Sequence, residues 1–232
     1  MRRRCGRYSR AGDRRTCVVP EKVIDRNLLR LIAITDDIRD GQPGLIARAV
    51  RAVAGGATCV QLRLKDVSAR DLVGVARDLV RAVEVPVIVN DRADVAIAAG
   101  AAGVHLGADD VPARAVRVIA PVGFIIGASV GSDGEVAFAD GADYVGIGPV
   151  FSTMSKRDAG DAIGLAEFSR LAVATKLPTV AIGGISVGNV RLVIEAGADG
   201  VAAISAVFGA IDPAAAARAL RSAIESSDPG LK

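Results

Sequence analysis

The amino-acid sequence predicts an α/β chain folded as a single-domain (β/α)8 TIM barrel, on three observations. From residue 28 onward, short strand-like runs alternate with Ala-rich helical segments, as in LLRLIAIT, GLIARAVRAVAGG, TCVQLRL and SARDLVGVARDLVRAV. That alternation is what a parallel sheet with crossover helices produces. The pattern Gly-Ala-x-x-Val recurs as GATCV at Gly56, GAAGV at Gly100, GADYV at Gly141 and GADGV at Gly197, each ending a helix on glycine and opening a strand. The Gly-to-Gly intervals of 44, 41 and 56 residues each contain one more strand candidate, VPVIV, GFIIG or LPTVAIG, so each interval holds two βα units.

With LLRLIAIT in front, eight strands are expected to start near residues 29, 58, 86, 103, 124, 144, 179 and 200. Eight βα units in about 200 residues is a barrel near its lower length limit; a doubly wound sheet usually has about five or six strands. The barrel is expected over residues 28–226, with a basic tail at 1–27 and a short C-terminal tail at 227–232. The third interval is the longest, and its excess falls in GPVFSTMSKRDAGDAIG, residues 148–164, after strand six. Long loops in compact barrels are usually functional.

Composition narrows the classes. The chain is 51% hydrophobic and 24% charged, an ordinary balance for a soluble globular protein. No apolar run approaches the roughly 18 residues of a membrane span. The formal charge of +3 is misleading, because the first 27 residues hold nine Lys or Arg against three acids, leaving the body net acidic. That tail has no apolar segment of the kind a secretory signal needs. With no Trp and two Tyr, nothing suggests a base-stacking surface, so neither nucleic acid nor membrane is an expected partner. The three cysteines, Cys5, Cys17 and Cys59, have no metal-like spacing and imply reduced thiols and a cytoplasmic location.

In a barrel the active site lies at the C-terminal ends of the strands. Strand two ends in Gln61, Arg63 and Lys65, spaced by two and therefore on one face. That face is either solvated charge or the upper rim of the interior, and burial of barrel strands on both faces favours the rim. Strand three ends in Asn90 and Asp91, and strand four runs into HLGADD with Asp109 and Asp110. Carboxylates on neighbouring strands suit a hard cation such as Mg²⁺ shared with phosphate oxygens. Each Asp alone could instead cap the following helix, a reading that Pro112 supports for Asp110. His105, the single histidine, lies within strand four and reads as a hydrogen-bonded packing residue. Strand five offers Ser129, and the strand-six loop offers Thr153, Ser155 and Lys156. Strand seven ends in Gly183-Gly184 and strand eight in Ile204-Ser205, where barrels commonly bind phosphate through backbone N–H groups. This inventory has two anion sites and no evident nucleophile with its base, which points to departing anionic groups rather than acyl transfer.

With these residues in hand, the chain resembles the thiamine-phosphate synthase family over nearly all of residues 29–220. The resemblance rests on ITDD, GGATCVQLRLK, VNDRAD, GVHLGADD, GASV, GADYVGIGPVFSTMSK, AIGGI and GADGVAAISA in that order. It implies joining of 4-amino-2-methyl-5-hydroxymethylpyrimidine diphosphate to a thiazole phosphate, with the carboxythiazole form left open, and release of pyrophosphate by a dissociative route. Position by position, it implies that Gln61, Arg63, Lys65, Asn90, Ser129 and Lys156 bind the pyrimidine diphosphate, with Lys156, Arg63 and Ser129 nearest the chemistry. It further implies Mg²⁺ on Asp91 and Asp110. Thr153 and Ser155, with Gly184 and the Ile204 and Ser205 amides, would hold the thiazole phosphate.

Three positions depart from the family pattern. Ala108 stands where a Gln is usual, Ser155 where a Thr is usual, and Gly131 follows Ser129-Val130 where many relatives have a histidine nearby. A related branch, the thiazole tautomerases, depends on a histidine in that region, and its absence favours the synthase. A non-catalytic thiamine-phosphate-binding protein is the remaining alternative, and a homo-oligomer is compatible with the sequence without being required by it.

Overall fold

The computed structural model of the protein describes residues 24–155 and 160–227. Residues 1–23 and 228–232, where most of the expected tails fall, lie outside the described residues, as do Cys5 and Cys17. Eight strands form one closed, all-parallel barrel in sequence order: β1 Leu31–Ile34, β2 Cys59–Leu62, β3 Val87–Asn90, β4 Gly103–Leu106, β5 Ile125–Val130, β6 Tyr144–Ile147, β7 Thr179–Ile182 and β8 Gly200–Ala203. The helices between and after them are α1 Gly41–Ala54, α2 Ala69–Ala82, α3 Ala93–Ala99, α4 Ala113–Ile119, α5 Asp133–Val136, α6 Gly164–Thr175, α7 Val190–Glu195 and α8 Pro213–Ser227. Among the described residues, no helix is long and apolar enough to cross a membrane.

The strand starts agree with the expected ones to within two residues. The first differs most, because Leu28 and Leu29 belong to a 3₁₀ turn, Arg26–Leu29, rather than to a strand. Asp25 caps that turn by accepting from the Asn27 N–H at 2.9 Å. Ile24 and Leu29 then join the buried cluster inside the barrel, so the folded body reaches back at least to Ile24 rather than beginning at residue 28.

The Gly-Ala-x-x-Val repeat has one structural job at four places. Its glycines take positive φ, 106° at Gly56, 72° at Gly100, 90° at Gly141 and 101° at Gly197, letting the chain leave a helix and turn into a strand. Its third residue then pairs with the start of the preceding strand: the N–H groups of Thr58, Ala102, Asp143 and Asp199 donate to the carbonyls of Leu31, Val87, Ile126 and Thr179, at 2.7–2.9 Å. Three of these residues also return a side-chain acceptor. Thr58 Oγ1 accepts from Leu31 N–H at 2.9 Å, Asp143 Oδ2 from Ile126 N–H at 2.7 Å and Asp199 Oδ2 from Thr179 N–H at 2.8 Å. The strand beginnings are thus tied together at one rim.

Period-two alternation divides the strand side chains between two cores. Inward residues Ile32, Ile34, Cys59, Ile88, Ile125, Tyr144, Val180 and Ala202 pack inside the barrel, and burial raises the Cys59 thiol's pKa, keeping it a neutral packing group. Outward residues such as Val60, Val89, Val104, Ile126 and Val201 pack under the helices. Helices α3 and α7, with seven and six residues, are too short to persist alone. They hold because Val95, Ala96, Val190 and Val193 are buried against the sheet.

The repeat's role is open to measurement. Asp143→Ala removes the acceptor for Ile126 N–H and for the Arg117 guanidinium at 2.7 Å. Chemical denaturation should show a loss of about 2 kcal/mol, the scale of an orphaned buried donor. Asp143→Asn should recover more than half of it, and equal losses for the two variants would contradict the acceptor role.

Candidate active site

The far rim, where the strands end, opens into a cavity of about 590 Å³. Of the thirteen residues given substrate or metal roles from the sequence, twelve line it: Gln61, Arg63 and Lys65 at β2; Asn90 and Asp91 at β3; Asp110 after β4; Ser129 on β5; Thr153 and Ser155 after β6; Gly184 after β7; and Ile204 and Ser205 after β8. Lys156 lies outside the described residues.

The end of β2 is held by a residue that sequence reasoning did not single out. Thr35, fully buried just past β1, donates its hydroxyl to Arg63 O at 2.9 Å and accepts from Arg63 N–H at 2.8 Å. Its own N–H donates to Gln61 O at 2.9 Å. These three bonds continue the β1–β2 pairing past the regular strand and orient Arg63 and Lys65 toward the cavity. A polar residue closing an apolar strand was the only available signal.

At β3 the backbone turns sharply. Asp91 takes φ 64°, a left-handed conformation that costs a non-glycine residue about 1 kcal/mol. Its N–H donates to His105 O at 2.8 Å, which draws it toward β4. Lys65 Nζ lies 3.0 Å from Asp91 Oδ2. Both side chains are partly exposed, so this pair contributes under about 1 kcal/mol and mainly sets charge balance. Asp110 accepts from Gly107 N–H at 2.7 Å through Oδ2. Its carboxyl pKa is raised, first by burial and then by the neighbouring Asp91 charge, against the lowering effect of the Gly107 bond.

Neither carboxylate serves as a helix cap, since the cap positions of α3 and α4 are Arg92 and Pro112. Arg92 instead forms a two-point ion pair with Asp94, Nε to Oδ1 at 2.9 Å and Nη2 to Oδ2 at 2.6 Å, which lowers the Asp94 pKa. Asp91 and Asp110 are thus a like-charged pair that a divalent cation would relieve. No cluster of three or more His, Cys, Asp or Glu exists among the described residues. Asp91 and Asp110 are the residues that could hold a divalent cation such as Mg²⁺, which is usually bound by one or two carboxylates.

The opposite wall is built from hydroxyls and backbone. Ser155 Oγ and Ser205 Oγ lie 3.0 Å apart, joining the loops after β6 and β8. The β6 loop also laces onto β7, with Val150 N–H donating to Ile182 O at 2.9 Å and Phe151 N–H to Gly183 O at 3.1 Å. Gly184, at φ 64°, must be glycine here, because a Cβ would fall 2.7 Å from Ser152 O and 2.8 Å from Phe151 Cβ. Asn189 secures the same turn, donating to Gly184 O at 2.9 Å and accepting from Ser186 N–H at 2.8 Å.

Two further residues that sequence reasoning left unused line the cavity. Tyr144 reaches the cavity from β6, and Glu135 lines it while accepting from Gly131 N–H at 2.7 Å. His105 lies between Tyr144 and Ser129, at 3.0 and 3.1 Å. That contact is a Ser–His pair which spacing along the chain did not reveal. It differs from a hydrolase triad, because the far imidazole nitrogen meets a phenol and not a carboxylate.

Fold and cavity together define a (β/α)8 barrel whose strand ends set a cationic and carboxylate wall opposite a hydroxyl and amide wall. The family described as Thiamine monophosphate synthase matches residues 31–207. The thiamine-phosphate synthase of Methanoculleus marisnigri is 54% identical over 181 residues, covering 76% of this chain and 86% of that protein. That of Roseiflexus castenholzii is 50% identical over 192 residues, covering 81% and 84%. Among solved structures, thiamine phosphate pyrophosphorylase from Pyrococcus furiosus superposes with a TM-score of 0.77 at 42% identity, covering 87% of this chain and 98% of that one. A 3-hexulose-6-phosphate synthase at 22% identity and TM-score 0.67 shares the fold. The chain belongs to the thiamine-phosphate synthase family of enzymes.

The hinge between β1 and the β2 rim gives a direct test. Thr35→Val keeps the shape but leaves Arg63 N–H without its partner, and it should cost about 1–3 kcal/mol in chemical denaturation. Thr35→Ser, which keeps the hydroxyl, should cost less. The reverse order would contradict the positioning of Arg63 by the Thr35 hydroxyl.

Proposed function

We propose that this chain joins 4-amino-2-methyl-5-hydroxymethylpyrimidine diphosphate to 4-methyl-5-(2-phosphoethyl)thiazole, giving thiamine phosphate and pyrophosphate, or to its carboxylated form, giving the same products with loss of the carboxyl group as CO2. One observation carries the reading. A single cavity has Arg63, Lys65, Asp91 and Asp110 on one wall and Thr153, Ser155, Gly184 and Ser205 on the other, which suits two phosphorylated groups held at once. Family membership and about 50% identity to proteins named thiamine-phosphate synthase support it.

In this reading Arg63 and Lys65 bind the diphosphate as cations at the end of β2, and Lys156 is a further diphosphate ligand implied by the family resemblance. Gln61 and Asn90 present amides to the pyrimidine diphosphate, and Ser129 adds a hydroxyl. Asp91 and Asp110 are the residues that would hold Mg²⁺; when bound, the ion supplies charge stabilisation for the departing pyrophosphate. The opposite wall holds the thiazole phosphate through the Thr153 and Ser155 hydroxyls and the backbone around Gly184, Ile204 and Ser205.

The C–O bond to pyrophosphate breaks first, leaving a methylene cation stabilised by the electron-rich aminopyrimidine. The thiazole nitrogen then forms the new C–N bond. No protein nucleophile is required. The chain's contribution is alignment of the two partners and neutralisation of the leaving charge.

Purified protein given both substrates and Mg²⁺ should release thiamine phosphate and pyrophosphate in equal amounts. Arg63→Ala should lower turnover about 10²-fold, the scale of losing one preorganised electrostatic donor. Asp91→Ala should flatten the Mg²⁺ dependence. Absence of product with intact thiamine-phosphate binding would replace the synthase by a binding protein.

A further inference from the structure

The chain's single histidine is built into the barrel between two hydroxyls. Strands β5 and β6 give up side chains to make room for it. A Cβ on Gly127 would fall 2.5 Å from His105 Nδ1 and also strike the Tyr144 ring, and one on Gly146 would come within 3.1 Å of His105 Cε1. The imidazole and phenol rings pack at 5.5 Å between centroids. His105 Nδ1 lies 3.0 Å from Tyr144 Oη, and Nε2 lies 3.1 Å from Ser129 Oγ, which lines the cavity.

Hydrogen-bond bookkeeping selects one polarity for this chain of groups. Tyr144 is 1% exposed, and burial is the first cause of its strongly raised pKa, so the phenol keeps its proton. A buried O–H needs an acceptor, and an imidazole nitrogen with a free lone pair accepts better than a phenol oxygen. Tyr144 therefore donates to Nδ1, which leaves the ring proton on Nε2. The opposite arrangement would have Ser129 O–H donate to Nε2 and turn the serine oxygen's lone pairs toward an anion.

We infer that His105 is a positioning residue that sets the polarity of Ser129. Tyr144 Oη–H donates to Nδ1, Nε2–H donates to Ser129 Oγ, and Ser129 presents its own proton to an anionic group of the substrate. The identity of that anion, a diphosphate oxygen, rests on the proposed function; the polarity itself does not. His105 in this role is a donor, so Ser129 is not a nucleophile activated by a base.

Because the chain has one histidine, untagged full-length protein labelled with ¹⁵N-histidine gives a single imidazole whose tautomer is read directly by long-range ¹H–¹⁵N correlation near neutral pH. The proton should reside on Nε2, and Tyr144→Phe should weaken that preference. A proton on Nδ1, or on both nitrogens, would overturn the inference even if the enzyme is a synthase. Kinetics supply the second readout. His105→Phe should lower kcat/KM for the pyrimidine diphosphate about tenfold, and under about twofold when Ser129 is already alanine, as expected for residues acting through one contact. His105→Gln, whose amide can still donate, should recover most of the loss. An equal loss in the Ser129→Ala background would overturn the inference. Wild-type protein that makes no thiamine phosphate would refute the proposed function while leaving the tautomer result to decide this one.

Discussion

A closed parallel barrel requires every strand to begin at one rim and end at the other, and the site follows from that constraint. The repeat enforces it: four short turns each tie a strand's beginning to the strand before it through a backbone N–H···O=C bond of 2.7–2.9 Å. Once the beginnings are fixed, the ends must converge. Residues separated by more than 100 positions in the chain, such as Arg63 and Ser205, then share one cavity. The chemistry is distributed around the ring because no strand end supplies more than a few functional side chains.

The same alternation that builds the core supplies the site. Inward positions are aliphatic on β1, β3 and β7, as with Ile32, Ile88 and Val180. They become Gly127, Gly146, His105, Tyr144 and Ser129 on β4 to β6, where volume surrendered by glycines is taken up by a hydrogen-bonded chain. The charges that face the cavity appear where the strands leave the barrel. Lys65, Asp91 and Asp110 sit at partly exposed positions on that rim, and burial together with the neighbouring Asp91 charge raises the Asp110 pKa.

Much of this was legible in the sequence, for physical reasons. The four glycines require positive φ, which marks helix ends, and the spacing of Gln61, Arg63 and Lys65 by two predicts a shared face. The start of β1 was misplaced by two residues because an Asp25 cap converts an apolar Leu28-Leu29 pair into a 3₁₀ turn. Thr35, Glu135 and the Tyr144–His105–Ser129 chain were not singled out. Thr35 and His105 find their partners on other strands, 28 residues away for Arg63 and 24 and 39 for the His105 contacts, and no local pattern fixes that register; Glu135 acts within its own loop, on Gly131 four residues back. The competing reading of Asp91 and Asp110 as helix caps could be separated from the metal reading only by geometry, since both place an aspartate just before a helix.

The proposed function makes the β2 to β4 rim a joint site for a diphosphate and a divalent cation, with Asp91 and Asp110 as the carboxylates that would hold the cation. Calorimetric titration of the full-length protein with pyrophosphate, with and without Mg²⁺, tests it most directly. Mg²⁺ alone should bind weakly, and its presence should tighten pyrophosphate binding at least about tenfold, a coupling that linkage makes reciprocal. Pyrophosphate affinity that is indifferent to Mg²⁺ would contradict the joint site, as would tight Mg²⁺ binding without any phosphate.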